Sequence, residues 1–419
     1  MKNINPQEVI STLKKYVLVD GFHVVVDLEK SIGSHVVDAN TGKKYLDCYS
    51  QFASQALGWN HPALLASVDK FKHALIHKIA NSDMYSTCYA EFVETFASVT
   101  TDFNHYFFID GGALAIENAL KAAFDWKSKL CGFKLTGWDV PDLDVIHLKN
   151  AFHGRSGYTM SLTNTGELKT GLYPKFDWTR ISNPVYDKRK CAENNSLEEA
   201  EYACKNRNVA AIIIEPIQGE GGDNHFSKEY LQGLRALADQ YSALLIFDEV
   251  QTGLGLTGKW WAYQHFDIIP DILCFGKKTQ VCGICSTNRI NEVKDNVFTQ
   301  SGRINSTWGG NIVDMIRATI IIDTIKNENL LENANIVGKA FKDFLLSLEN
   351  KSDVQNVRGR GLMLALDLST VDRRDQVYNK LMENMLVLKC GEKGLRFRPH
   401  LTFTLDNVEE AIKYIQQSI

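Results

Sequence analysis

Two charged side chains stand at the ends of apolar segments that have the composition of buried strands. Asp248 closes the segment 243–247, and Lys277 follows the segment 272–275 after a single glycine. A carboxylate can keep a pyridine nitrogen protonated, and a lysine amine can hold an aldehyde cofactor as an imine and later move protons. The two residues together favour pyridoxal phosphate chemistry. The neighbouring Lys278 competes with Lys277 for the role of the lysine.

A glycine-rich turn offers a site for a phosphate group. Gly111 and Gly112 follow the apolar segment 106–109 and lead into an amphipathic helix pattern over residues 113–127. Glycines let the backbone approach an anion, and the N–H groups at the start of a helix attract it. The pattern predicts a phosphate cradle at Gly112 and Ala113. A plain strand-to-helix turn explains the same glycines equally well.

Three arginines could bind substrate carboxylates. Arg155 follows Phe152 in a loop after a predicted strand, and Arg396 and Arg398 alternate on a short strand, which places both on one face. Arginine binds carboxylates through two parallel hydrogen bonds, and a phenylalanine ring can stack on an aromatic cofactor. Glu220, in a glycine-rich loop, could mask one of these arginines. Solvated surface positions are the alternative for the charged residues.

Two further motifs suggest other chemistry. Cys282 and Cys285 have the spacing of a redox or metal site, but no second pair or nearby histidines follow, which favours two small residues in a strand. Residues 253–258 match the dinucleotide motif G-x-G-x-x-G. However, two acids separate the motif from its strand, and Lys259-Trp-Trp follows in place of a clear helix. A nicotinamide-dependent oxidoreductase therefore fits less well than a pyridoxal phosphate enzyme.

Composition excludes several classes of protein. The chain has 419 residues and a net charge of -4, so it offers no basic excess for nucleic acid. No apolar stretch is long enough to span a membrane, and the polar N-terminus lacks a signal core. Nine scattered cysteines favour a reduced, cytoplasmic location. No metal site is predicted.

Apolar segments alternate with helix patterns through the middle of the chain. This alternation predicts an α/β fold with a mostly parallel sheet covered by helices, whose ligands gather at the carboxyl ends of the strands. Residues 22–50 predict a small antiparallel meander, and residues 362–367 predict a strand. We expect a large cofactor-binding domain over residues 60–310 and a smaller α+β domain built from 1–59 and 311–419. The central strands are predicted at 106–109, 145–148, 209–214, 243–247 and 272–275.

The combined motifs resemble those of a known family. Asp248-Glu-Val-Gln251, Phe275-Gly-Lys277 and Arg396-Phe-Arg398 are similar to the motifs of class III pyridoxal phosphate-dependent aminotransferases, which have fold type I. The resemblance runs from about residue 20 to the C-terminus. Longer stretches are similar to family members that act on the ε-amine of lysine, and these are 81–86, 92–96, 111–127, 276–283 and 305–311.

The resemblance implies a role for each matching residue. Lys277 and Asp248 would be the catalytic residues, with Gln251 near the ring hydroxyl of the cofactor. The implied cofactor-binding set is Gly112, Ala113, Phe152, Asp248, Gln251, Lys277 and Thr307, the last from the second subunit of a dimer. The implied substrate-binding set is Arg155, Arg396, Glu220 and Phe52, with Glu220 masking Arg396. A hydroxyl residue is common in the family where Ala113 stands, so Ala113 can offer only its backbone N–H.

The resemblance also implies an activity. We expect transfer of the ε-amino group of L-lysine to 2-oxoglutarate, giving 2-aminoadipate 6-semialdehyde and glutamate, with pyridoxal 5′-phosphate as cofactor. The enzyme would bind these small molecules as a homodimer with active sites at its interface, without nucleic acid or membrane partners. Amino transfer from 4-aminobutyrate or ornithine is the alternative within the family. An aminomutase of the same fold, which needs no 2-oxoglutarate, is a further one.

Overall fold

The elements of the chain are taken from a computed structural model that describes residues 4–135, 141–186, 191–349 and 351–419. Within these residues the strands are β1 (His35–Val37), β2 (Lys44–Asp47), β3 (His105–Ile109), β4 (Asp144–Leu148), β5 (Arg180–Ile181), β6 (Val209–Ile214), β7 (Ile217–Gln218), β8 (Asn224–His225), β9 (Leu244–Asp248), β10 (Ile272–Phe275), β11 (Cys282–Ser286), β12 (Val354–Arg360), β13 (Met363–Leu368), β14 (Met385–Leu386), β15 (Leu388–Cys390) and β16 (Gly394–Phe397).

The helices of the same residues complete the element order. They are α1 (Val9–Leu13), α2 (Ser50–Ala53), α3 (Pro62–Leu65), α4 (Val68–Phe71), α5 (Thr87–Ala97), α6 (Gly112–Leu130), α7 (Thr159–Leu162), α8 (Glu167–Thr170), α9 (Ala192–Asn206), α10 (Lys228–Gln240), α11 (Ile312–Asn327), α12 (Leu330–Leu348), α13 (Val371–Leu381) and α14 (Leu405–Gln416). Short 3-10 turns lie at Pro6–Glu8, Pro184–Tyr186, Ala262–His265, Lys277–Thr279 and Asn288–Glu292. Among the described helices, none is long and apolar enough to cross a membrane.

The largest sheet has the strand order β3-β11-β10-β9-β6-β4-β5. Strands β10, β9, β6, β4 and β5 run parallel to one another, whereas β11 is antiparallel to both β10 and β3. Every residue of β6 and β9 is buried, as expected for strands covered on both faces. The predicted mostly parallel α/β sheet is confirmed.

Alternate side chains of the central strands enter two separate cores. Ile213 and Ile246 pack in one core together with the buried residues of α6, such as Ala119. Ile212 and Phe247 pack in the other core, on the opposite face. Because both faces are apolar, these strands read in the sequence as continuous hydrophobic runs, which is why their positions could be predicted closely.

The N-terminal meander was predicted only in part. Strands β1 and β2 pair antiparallel, but the start of the predicted meander contributes only an isolated antiparallel bridge between Val26 and Asp38. The other neighbour of β2 is β14, in a parallel pairing of Leu46 with Met385. The predicted antiparallel meander is thus confirmed for β1 and β2, but local alternation could not reveal β14, a partner from the far end of the chain.

The C-terminal half forms its own antiparallel sheet with the order β12-β13-β16-β15. It contains the strand predicted at 362–367, which begins one residue later at Met363. Helix α11 packs against α5, so the two regions meet across the boundary expected at residue 310. The division into domains at residues 60 and 310 remains a prediction.

The parallel pairing of β9 with β10 brings the two strand-end charges to one edge. Its register pairs Phe247 with Leu273 and Asp248 with Cys274, and Lys277 follows three residues after Cys274. Asp248 and Lys277 therefore emerge from adjacent strands at the carboxyl edge of the sheet, where open α/β sheets bind ligands.

Gly283 lies in β11, where an added side chain would meet the backbone of β3. A Cβ atom at this position would be 2.2 Å from the Phe107 carbonyl oxygen and 2.8 Å from the Phe275 ring. We expect Gly283→Ala to lower the free energy of unfolding by about 2–3 kcal/mol, because the strand must shift to admit the methyl group. Urea denaturation measures this change.

Gly21→Ala is the matched control for this substitution. A Cβ atom at Gly21 would meet nothing within 4 Å, so this variant should differ from the parent by less than about 0.5 kcal/mol. Equal stability of the two variants would contradict the close approach of β11 and β3.

Candidate active site

A cavity of roughly 360 Å³ opens at the carboxyl edge of the central sheet. Eight of the residues predicted from the sequence line it, namely Gly112, Ala113, Phe152, Arg155, Glu220, Asp248, Gln251 and Lys277. Arg396 reaches the cavity indirectly, as the ion-pair partner of Glu220. Phe52 and Thr307 lie outside the lining. The eight lining residues come from five separate segments of the chain, and the fold gathers them around one space.

Asp248 is held in place by a histidine that the sequence analysis did not assign to the site. Its Oδ2 accepts a hydrogen bond from His153 Nδ1 at 2.8 Å, and its Oδ1 accepts one from the Val250 N–H at 3.1 Å. A carboxylate can only accept, so Nδ1 of His153 carries a proton. The two residues are 95 positions apart, and no sequence spacing connects them.

Only one of the two neighbouring lysines lines the cavity. Burial lowers the pKa of Lys277 to about 8, and the positive charge of Arg396 adds to this effect while Asp248 opposes it. Lys278 is 1% exposed, and its Nζ donates to the Ala53 carbonyl oxygen at 2.6 Å. The amine that can meet a ligand in the cavity is therefore that of Lys277.

Arg396 is buried and paired with Glu220. Its Nη2 donates to Glu220 Oε2 at 2.7 Å, and Lys169 Nζ donates to the other oxygen, Oε1, at 2.5 Å. Burial tends to raise the pKa of Glu220, but Arg396 and Lys169 outweigh it and lower that pKa below its usual value. This is the contact that masking of Arg396 requires. Lys169 was not identified from the sequence.

Arg398 is also buried, and it orients Gln251. Its Nη2 forms an ion pair with Asp223, and its Nε donates to Gln251 Oε1 at 3.3 Å. Arginine has only donors, so the amide oxygen of Gln251 must face it and the amide nitrogen is left for another acceptor. The alternative of two solvated arginines on a surface strand is wrong, since Arg396 is 2% and Arg398 1% exposed.

Glu215 is a second acid that the sequence analysis did not assign. Glu215 follows β6 directly, and Lys277 follows β10 after one residue. The position of Glu215 at a strand end could therefore have identified it as a site residue from the sequence. Its carboxylate accepts hydrogen bonds from the N–H groups of Phe152 at 2.9 Å and Gly219 at 3.0 Å. Burial foremost raises the pKa of Glu215 to about 7. Glu215 thus fastens together two loops that line the cavity.

Two predicted residues are not brought to the cavity by this chain. Phe52 is 51% exposed and lies in a left-handed turn, where residues 50–53 all have positive φ. Its ring lies 4.9 Å from that of Tyr49. Thr307 is exposed, and its carbonyl oxygen accepts a hydrogen bond from Ser82 Oγ at 3.2 Å. The substrate role of Phe52 and the phosphate role of Thr307 remain predictions.

The alternative chemistries lack their sites in the described residues. Cys282 lines the cavity edge while Cys285 packs in the core on the other face of β11, so the two thiols do not form a pair. No group of three metal-binding side chains occurs in the part of the chain that the structure describes. The glycine motif 253–258 forms turns, and only the short 3-10 turn Ala262–His265 follows it.

The residues around the cavity fit pyridoxal phosphate. A buried carboxylate, Asp248, can face a protonated ring nitrogen, and the amine of Lys277 can react with an aldehyde. Helix α6 begins at Gly112, and no side chain caps it, so its first N–H groups are available to a phosphate. Gly111 makes this turn with φ of 104°, in the region that favours glycine.

Comparison with known proteins gives one consistent family. The family described as Aminotransferase class-III matches residues 16–419. An L-lysine-epsilon aminotransferase of Amycolatopsis lactamdurans is 47% identical over 432 residues, which cover 99% of this chain and 96% of that protein. One of Streptomyces clavuligerus is 45% identical and covers 100% of this chain and 95% of its own. The structure of a lysine aminotransferase from M. tuberculosis is 46% identical, with a TM-score of 0.95 over 99% of both chains.

The different contacts of Lys277 and Lys278 predict different effects of mutation. Lys277→Ala should lose the visible absorbance that pyridoxal phosphate gains on a lysine amine, and borohydride should fix no cofactor to the protein. Lys278→Met should keep that absorbance. Because this variant loses the hydrogen bond to the Ala53 carbonyl oxygen, its free energy of unfolding should fall by about 1–3 kcal/mol. Absorption spectra and peptide mapping measure the first effect, and urea denaturation the second. Cofactor fixed at Lys278 in the parent enzyme would contradict the assignment.

Proposed function

The chain belongs to the class III aminotransferases, and we propose that it transfers the ε-amino group of L-lysine to 2-oxoglutarate. The products would be 2-aminoadipate 6-semialdehyde and glutamate. The enzyme uses pyridoxal 5′-phosphate, which when bound supplies an aldehyde for the amino group and an electron-withdrawing ring. The observation that carries the choice of lysine is the 47% identity to an L-lysine-epsilon aminotransferase along almost the whole chain.

Two residues of the site would act at the reacting atoms. Asp248, whose orientation His153 fixes, would hold a negative charge against the ring nitrogen and so keep its proton in place. Lys277 would take the proton from the substrate carbon and return it elsewhere. A pKa of about 8 suits this task, because an appreciable fraction of the amine is neutral near pH 7 and can accept a proton.

The arginines would distinguish the two substrates. Lysine has one carboxylate, far from the ε-amine that reacts, and Arg155 at the exposed end of the cavity would bind it. Arg396 would meanwhile be unpaired in a buried position, which is costly, so Glu220 covers it. 2-Oxoglutarate has a carboxylate at each end, and its α-carboxylate would take Arg396 once Glu220 moves away.

A homodimer in the cytoplasm completes the proposal. Thr307 is exposed and contacts Ser82, and the large side chains of Met84, Tyr85 and Trp308 nearby are exposed as well. Exposed apolar surface of this kind is typical of an interface, and it would allow Thr307 to reach the phosphate of the second subunit. The cysteines of the described residues are all free, which supports a reducing compartment.

A product assay tests the substrate directly. The purified enzyme with pyridoxal phosphate should convert L-lysine and 2-oxoglutarate to glutamate and a semialdehyde that cyclises. Ornithine and 4-aminobutyrate at the same concentration should react at least about tenfold more slowly, as expected when a substrate of different length misplaces its amine. Faster reaction with either amine would overturn the choice of lysine, and turnover of lysine without glutamate would indicate an aminomutase.

The pairing of Glu220 with Arg396 predicts an asymmetric effect of mutation. Glu220→Gln leaves Arg396 without its anion, so the α-carboxylate of lysine can bind there and present the wrong amine. We expect kcat/KM for the lysine half-reaction to fall by about 10- to 100-fold, while the 2-oxoglutarate half-reaction changes less than about threefold. Single-turnover absorbance measurements separate the two halves. The exposed Glu409→Gln should affect neither half, and equal loss in both halves for Glu220→Gln would remove the masking role.

A further inference from the structure

Glu220 lies between two cavities. It lines the cavity that contains Asp248 and Lys277, and it also lines a second cavity of roughly 480 Å³. Lys169 and Lys389 line the second cavity together with one further acid, Glu392, and Lys389 is itself paired with Asp375 at 2.7 Å. A Glu220 carboxylate that left Arg396 in this direction would stay close to Lys169, the lysine that it already contacts.

Each oxygen of Glu220 has its own cation. Oε2 accepts from the buried Arg396, and Oε1 accepts from Lys169, which lines the second cavity. Lys169 is itself held, because its Nζ also donates to Thr165 Oγ1 at 3.2 Å and lies 5.8 Å from the centre of the Phe152 ring. The carboxylate is thus shared between one fixed arginine and one tethered lysine.

The main chain at Glu220 is fixed, so only its side chain has to move. The Glu220 carbonyl oxygen accepts a hydrogen bond from the Gly391 N–H at 3.1 Å, which ties this loop to the turn after β15. A rotation of the side chain about its own bonds can break the contact with Arg396 while the contact with Lys169 persists. The movement then costs one ion pair and not two.

On the basis of the proposed masking of Arg396, we propose that Lys169 is a positioning residue that keeps hold of Glu220 while substrates exchange, and that the second cavity receives the Glu220 carboxylate. Without Lys169, the displaced carboxylate would lose its last bonded cation in a partly buried place, which makes the open state less favourable. The open state is the one that a dicarboxylate such as 2-oxoglutarate needs. Lysine would bind to the closed state. In that state the ion pair between Arg396 and Glu220 holds the Glu220 carboxylate even without Lys169.

Single half-reactions of the holoenzyme test this role. In Lys169→Met the concentration of 2-oxoglutarate that gives half the maximal rate should rise about tenfold, because one hydrogen bond between charged groups is lost. The lysine half-reaction should change less than about threefold, and Lys169→Arg should restore 2-oxoglutarate affinity to within about threefold of the parent. Lys413→Met, an exposed lysine far along the chain in α14, is the control and should leave both halves unchanged.

Other results would overturn the proposal. Equal loss in both half-reactions would indicate a purely structural role, and tighter binding of 2-oxoglutarate would mean that Lys169 locks the closed state. In a Glu220→Gln background, Lys169→Met should add less than about a twofold effect, whereas a full additional effect would show that Lys169 does not act through Glu220.

The same variants separate this inference from the function on which it rests. If Glu220→Gln shows its asymmetry and Lys169→Met shows none, only the role of Lys169 fails. If Glu220→Gln has no asymmetric effect, the masking of Arg396 fails, and the role of Lys169 fails with it.

Discussion

The parallel pairing of β9 with β10 is the constraint on which the site depends. It sets Asp248 beside Cys274 in register, so the chain that continues from β10 must turn at Lys277 on the same edge as the carboxylate. The turn is sharp, because Lys277 has φ of 55° and begins a 3-10 turn. An acid and an amine from different parts of the chain thereby face one cavity, held by a sheet whose two faces are packed in apolar cores.

The buried arginines beside the cavity are each balanced by an acid. Arg396 and Arg398 are both buried, and each has its own acid, Glu220 and Asp223 respectively. Lys277 has no such ion-pair partner among the described residues, and burial lowers its pKa to about 8. Removing a charge from water is expensive unless a partner compensates it. The two arginines therefore stay charged. Lys277 is the cation of the cavity lining that can release its proton.

The sequence alone could predict what depends on local pattern. Strands β6 and β10 were located because buried parallel strands are continuous apolar runs, and the charges at their ends followed from that position. Contacts between distant segments left no local trace. The choice between the two lysines depends on the carbonyl of Ala53, 225 positions from Lys278. For the same reason His153 and Lys169 were not recognised, although their partners Asp248 and Glu220 were.

A site that serves two substrates with different numbers of carboxylates faces a problem of charge, and the position of Glu220 suits it. A permanently free Arg396 would attract the α-carboxylate of lysine, whereas a site without Arg396 would bind 2-oxoglutarate weakly. If a substrate carboxylate replaces the Glu220 carboxylate on Arg396 as proposed, one anion would leave the guanidinium as another arrives, so the arginine would keep an anionic partner. The cost of the exchange then falls on Glu220 alone, and it depends on what surrounds the carboxylate after it moves. In the exchange proposed above, Lys169 would lower that cost from outside the lining of the cavity that the substrate would occupy.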